Sequence, residues 1–432
     1  MITQQITNRG FNRKDRRDRR CRGPFFAFFV FFATNSLCNG QIQQAWVAKY
    51  NNGITNGTHQ AVKMALDTNG NIYVTGFSQN TNGNLGYATV KYMPNGNQAW
   101  VARYDSTNFP SARPVGLALA TNGNVFVTGS AVTAMYDING NQLWTASYAG
   151  TALAVADNTN IIVTGFGNNF NTVKLNPAGS NVWTITYVDF EGPTFSQVVL
   201  VDGNGNVYLS GNDNFFTKYS LHDYRLTTVK YDKNGHQLWS AYQVTGEEGS
   251  VYVAGAALDN MGNVYVEWNS YGAVYETTRF SGNDGSVIWR ADDPTGNFGS
   301  LANGLALDSS NNVFVSWKNA HYNPSTAYGT YKINTNGAYV WTNNYPSIPS
   351  TVSVGTAIAV GPDNNVYVTG YSPGTNSGND IVTIKYDNNG NQIWLQRYNG
   401  PGNGDDEGNA IAVDANGNVY VTGYETDRKS VV

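Results

Sequence analysis

Apolar and polar residues alternate with period two in short runs along this chain. Near the C-terminal end "AIAVD" and "NVYVTGY" flank an Asn-Gly pair, and just upstream "IVTIKYD" and "NQIWLQRY" flank another. Runs of this length with that alternation predict half-buried strands, and Asn-Gly between two of them is a strong short hairpin signal because left-handed backbone is needed in the turn. At a two-residue turn both central positions would take positive φ. One unit therefore predicts a four-stranded antiparallel meander. No stretch carries the 3.6-residue spacing of an amphipathic helix.

The unit recurs. Its first half, an Asp-x-Asn-Gly-Asn turn leading into Val-Tyr-Val-Thr-Gly, begins near Asp67, Ala120, Asp157, Asp202, Asp259, Asp308, Gly361 and Asp414. Its second half ends on Trp100, Trp144, Trp183, Trp239, Trp289, Trp341 and Trp394, and Trp46 starts that series without a preceding half. A period of about 37 to 57 residues is that of propeller blades rather than of short solenoid repeats. A single small sheet buries too little apolar surface to stand alone, so such units stack around an axis, and radial repetition leaves only short protected edges. The expected fold is an all-β propeller of four-stranded antiparallel blades, eight favoured over seven. Its ring would be closed by the strand around Trp46 lying beside the C-terminal hairpin. The eight tryptophans are expected to pack between blades.

The N-terminus reads differently. "RKDRRDRRCR", residues 13–22, is basic and runs into the apolar "PFFAFFVFFA", residues 24–33, in the order of a secretory signal. Residues 1–40 are expected to be a removed signal peptide and 41–432 a single propeller domain, exported to the periplasm, cell surface or medium, with no membrane anchor left. Eight of the 26 Lys and Arg and two of the 30 Asp and Glu lie in residues 1–40, so their removal takes the net charge from −4 to −10. An acidic domain without a basic stripe is a poor partner for a phosphate backbone. Cys21 and Cys38, the only cysteines, also fall in that segment, leaving no disulfide.

Candidate chemistry sits away from the hairpins. Antiparallel order puts the Asn-Gly turns of every blade on one face and the variable connections on the other, and binding residues favour variable loops on a rigid scaffold. The ligand-binding candidates on that loop face are His222, Asp223, Tyr224 and Arg225, then His321 and Tyr322, and the acidic run Asp405, Asp406 and Glu407. No catalytic residue and no metal ligand set is assigned. The chain has four histidines, His59, His222, His236 and His321, and neither G-x-S-x-G nor H-E-x-x-H accompanies them. No cofactor is expected. Calcium alone is suggested by the spacing of Asp67, Asn69 and Asn71, but no Glu follows at the twelfth position and the turn itself explains these residues.

With "DANGNVYVTGY", "DIVTIKYDNNGNQIW" and "YNGPGNGDDEGNAIAVD" in fixed order, residues 42–424 resemble the bacterial exported proteins with SBBP-type beta-propeller repeats. That resemblance implies an extracytoplasmic propeller, conventionally seven-bladed, without an assigned activity. The expected function is a monomeric binding or adhesion module whose partner is a protein or a glycan. The alternatives are a propeller hydrolase, lyase or quinone-dependent oxidoreductase on the loop face, and a purely structural envelope protein.

Overall fold

The computed structural model describes residues 25–33, 43–54, 57–165, 170–187, 194–215, 223–244, 251–270, 275–292, 300–319, 325–326, 328–345 and 351–427. Seven blades are each cut from one unbroken stretch of chain: 59–104, 114–146, 152–187, 194–244, 251–292, 300–345 and 354–398. In every one the four strands pair in sequence order and antiparallel, as His59–Leu66, Ile72–Gln79, Leu85–Tyr92 and Gln98–Tyr104 do in the first. Innermost strands of neighbouring sheets touch one another all round the molecule.

Composition sorts the strands by radius. Innermost strands such as Ala152–Ala156 and Val354–Val360 are rich in Ala and Gly and only half-buried. The second and third strands, for instance Ile72–Gln79 and Leu85–Tyr92, are buried almost throughout, because both of their faces meet the sheets of adjacent blades. Outermost strands alternate exposed and half-buried residues. The glycine closing the Val-Tyr-Val-Thr-Gly phrase has a steric reason. A β-bulge on the innermost strand brings its carbonyl so close that a Cβ at Gly76, Gly370 or Gly423 would stand 2.0, 1.8 or 1.8 Å from the oxygen of Gln60, Val354 or Glu407. Trp268 and Trp317 occupy this place in the fifth and sixth blades, and the indole of Trp317 finds room over Gly329 on the paired strand.

The hairpins correct one expectation. In the hairpin turns built on Asn-Gly only the glycine is left-handed, with φ of 76° at Gly70 and 80° at Gly417. Gly70 N–H bonds to the Asp67 carbonyl and Asp67 N–H to that of Asn71, which makes a three-residue loop, a type I turn followed by a left-handed glycine. The reason lies in the aspartate: Asp67 Oδ1 accepts from the N–H groups of Asn69 and Asn71, both at 2.9 Å, and its Oδ2 from Asn71 Nδ2 at 2.7 Å. Among the described residues adjacent left-handed residues appear in one hairpin, at Asp157 (49°) and Asn158 (63°), where Thr159 replaces the glycine.

A second correction concerns the ends of the chain. The eight like units read from the repeats are seven contiguous blades and one composite sheet, because the last repeat contributes a single hairpin. From the inside outwards that sheet runs Asn403–Val413, Val419–Asp427, Phe25–Ala33, Gln43–Tyr50. The Trp46 strand is thus one place removed from the C-terminal hairpin. Phe31 pairs with Tyr420 on one side and with Trp46 on the other. Direction explains it: Gln43–Tyr50 runs parallel to Val419–Asp427, so an antiparallel sheet needs a strand of opposite sense between them.

Candidate functional site

The repeated tryptophans bind each sheet to the next. The Nε1–H of Trp46, Trp100, Trp144, Trp183, Trp239, Trp289 and Trp341 donates to the carbonyl of Pro94, Ile138, Pro177, Lys233, Gly282, Thr335 and Asn388, each in a hairpin turn of the following blade, at 2.9–3.2 Å. The indole also lies flat on the turn glycine. At six of these seams a Cβ on that glycine would come within 2.6–2.9 Å of the ring, and at the seventh, Gly235 under Trp183, the gap is 3.3 Å.

Across each sheet, register places three residues in a row. In the first blade Tyr73 pairs with Lys91 and Lys91 with Trp100. The ring of Tyr73 meets Trp100 edge-on at 6.0 Å and the Lys91 ammonium stands 5.0 Å from the Tyr73 centroid. Five other contiguous blades repeat the aromatic pair, from Phe126–Trp144 to Tyr367–Trp394, at 5.9–6.1 Å. The third blade does not: its row is Ile162, Lys174 and Trp183. Among the described residues no ring pairs with Trp183.

A cleft of about 510 Å³ opens at that place, between the third and fourth blades on the hairpin face. Asp157, Asn160, Lys174, Trp183 and Asn234 are among its walls. Lys174 Nζ bonds to Asp157 Oδ2 at 2.5 Å and to the Lys233 carbonyl at 3.3 Å, so its charge is answered inside the cleft. That ammonium, opposed by partial burial, holds the Asp157 carboxyl below the usual carboxylate range. Sequence reading passed this site over because it treated the hairpin face as uniform. The signals were there in Ile162, standing where six blades carry an aromatic ring, and in Thr159, standing for glycine.

The acidic run predicted for a loop lies on a strand. Asp405, Asp406 and Glu407 belong to Asn403–Val413, against the seventh blade. Asp406 is fully buried; its Oδ2 accepts from Gly400 N–H at 2.6 Å, while its Oδ1 has no hydrogen-bond partner among the described residues. Burial, with Glu425 and Asp380 nearby, pushes its carboxyl up to about 7 against the opposing Gly400 N–H and Lys49. Glu425 is contacted by the Lys49 ammonium, and Asp380 Oδ2 accepts from Arg397 Nη1 at 2.8 Å. Asp405, which is exposed, accepts from Asn379 N–H at 2.9 Å through its Oδ1. These carboxylates are consequently tied into the joint between the two ends of the chain.

The other candidates divide. His222, His321 and Tyr322 lie outside the described residues, as do the side chains of Asp223 and Tyr224. The backbone of Asp223–Tyr231 is a strand rather than a loop, which corrects the placing of Asp223, Tyr224 and Arg225. Arg225 is buried, its guanidinium 4.8 Å from the Tyr242 centroid. Among the described residues no three of His, Cys, Asp and Glu are grouped to hold a metal ion. No helix among them is long and apolar enough to cross a membrane.

A family model described as outer membrane protein assembly factor BamB matches residues 91–322, and one described as the SBBP beta-propeller repeat matches residues 393–424. No curated protein matches the chain. Among solved structures it is similar to a protein of unknown function from Bacteroides caccae, with 11% identity over 79% of this chain and 93% of that one at a TM-score of 0.36. It is also similar to the WD40 domain of SCAP from fission yeast, with 11% identity over 86% and 93% at 0.45, and to the Neurospora crassa Pan2 WD40 domain, with 10% over 74% and 90% at 0.44.

Proposed function

The chain belongs to the beta-propeller family described as outer membrane protein assembly factor BamB, matched over more than half of its length, and from that premise we propose that it is an exported interaction scaffold. The observation that carries this reading is the series of tryptophan bonds across successive seams. They spend the recurrent aromatic residues on holding the disc rigid, and a rigid disc presents the variable loops of its other face in fixed positions. The family description, an assembly factor, fits a protein that holds other proteins. The basic and apolar N-terminal segment supports export.

The scaffold works as a monomer in the envelope or outside it and meets its partner through the loop face beside Asp405. Two chains that carry a photo-crosslinking residue, one in place of Asp405 and one in place of Thr121 on the hairpin face, would be activated in cells that make the protein. A discrete protein adduct from the Asp405 position and none from Thr121 is the expected result. Adducts from Thr121 only, or from neither position, would sink this reading.

A further inference from the structure

We propose that the cleft between the third and fourth blades is a saccharide-binding site, taking one or two neutral pyranose rings against the indole of Trp183. The site is on the hairpin face and stands apart from the loop-face reading above. Its volume, about 510 Å³, is within the ordinary range of small-molecule sites, roughly 300–1,000 Å³.

The chemistry of the walls selects the ligand. A pyranose offers a face of C–H groups and a rim of hydroxyls that each donate and accept. Trp183 supplies the matching surface. Its counterparts in six blades are paired with a Tyr or Phe ring, and theirs, unlike its own, press to within 2.9 Å of the next blade's turn or have that ring beneath them. Around it stand groups of both senses: the Asp157 carboxylate accepts, the Lys174 ammonium donates, and the amides of Asn160 and Asn234 do both. The walls carry two ammonium groups, Lys174 and Lys233, against the Asp157 carboxylate. An anion is disfavoured all the same: Lys174 is already bonded to that carboxylate and Lys233 acts on it too, so a phosphate entering the cleft would have to approach a carboxylate that both lysines already serve. A purely apolar ligand is disfavoured as well, because Val182 and Trp183 are the only apolar residues among the walls.

Isoleucine at 162 is fully buried in the cluster against which Trp183 packs, behind the cleft's walls rather than among them. It lies in register with Lys174, which is itself in register with Trp183. A tyrosine there would follow the pattern of the other blades, with its ring against the indole and beneath the ammonium, as Tyr73 lies against Trp100 and beneath Lys91. Ile162→Tyr therefore closes the site by restoring the repeat, a change that the fold accommodates elsewhere.

The test is calorimetric titration of the full chain with cellobiose, maltose and N,N′-diacetylchitobiose, with tryptophan fluorescence as a second readout. At least one of the three is expected to bind, and Ile162→Tyr and Asp157→Ala are each expected to weaken it by about tenfold or more. Trp341→Ala, which removes a tryptophan at another seam and is titrated at a temperature where circular dichroism shows it folded, should leave binding unchanged. Failure of all three sugars to bind overturns the proposal, as does binding that survives both cleft substitutions or is lost equally in Trp341→Ala. None of these outcomes touches the crosslinking result at Asp405, so the two readings fail separately.

Discussion

Two buried titratable residues on opposite sides of the same joint respond to pH with opposite sign. Asp406 is raised to about 7, mainly by burial and then by its carboxylate neighbours. A folded state that binds this proton more tightly than the unfolded chain is stabilised below the ordinary carboxylate range and loses that stabilisation as pH rises towards 7. Asp406→Asn keeps the shape without the charge. It should raise stability at pH 8 by on the order of 2 kcal/mol and flatten the pH dependence between 4 and 7, read from urea midpoints. Equal loss of stability at pH 5 and pH 8 would contradict it. His59 is lowered to about 4 by burial and then by Arg103, and its Nδ1 bonds to Ser78 at 2.7 Å. Here the folded state rejects the proton, so stability is full above 6.5 and is lost as pH falls towards 4. With Asp406→Asn in place the His59 slope should dominate, stability falling on acidification through that window while Glu407, whose carboxyl burial raises by less, pulls the other way. Replacing His59 by Gln in the same background should remove the slope, and its persistence would assign it to another group.

At the scale of strands and turns, the energetics concentrate in the tryptophan seams, and these are unequal. Trp341 packs against Phe314 and Tyr386, lies on Gly390 and donates to Asn388. Trp183 has a looser turn beneath it and an isoleucine where the others have a ring. Trp341→Ala should cost about 3–5 kcal/mol and Trp183→Ala clearly less, by chemical denaturation of the two variants side by side. Equal losses would mean that the third seam is closed as tightly as the rest. Much of this level was legible in the sequence. Period-two alternation with Asn-Gly between runs gave the strands their places, and the spacing of Trp46 to Trp394 gave the blades theirs. Three features were not. The turn type depends on the Asp67 side chain competing for backbone N–H groups, which alternation does not encode. The row of Tyr73, Lys91 and Trp100 depends on register across two hairpins. Asp406 reads as a loop residue because its burial comes from packing against the sheet of the seventh blade, which no local alternation encodes.

For the molecule as a whole, the question is what closes the ring when Phe25–Ala33 is absent. The same residues read as the apolar core of an export signal and serve as the third strand of the composite sheet, and cleavage after Gly40 would remove them. Two arrangements could follow. The Gln43–Tyr50 strand could move inwards by one strand spacing, about 4.8 Å, onto Val419–Asp427. That would recover ladder hydrogen bonds, but in a parallel pairing foreign to every blade, and it would break the Trp46 bond to Pro94 and the Lys49 contact with Glu425. Alternatively it stays and leaves a gap one strand wide. Phe25–Ala33 pairs with eight residues of Val419–Asp427 and seven of Gln43–Tyr50, so at about 0.5–1.5 kcal/mol for each net hydrogen bond the gap costs several kcal/mol. Because the outer strand is fixed by Trp46 and by the buried Tyr50, the gap is the expected outcome. A chain beginning at Gln41 should then be less stable than one beginning at Pro24 by several kcal/mol, with fast amide exchange confined to the edges of Val419–Asp427 and Gln43–Tyr50. Protected amides and unchanged stability in the shorter chain would show instead that the parallel pairing forms and that the ring closes without its third strand.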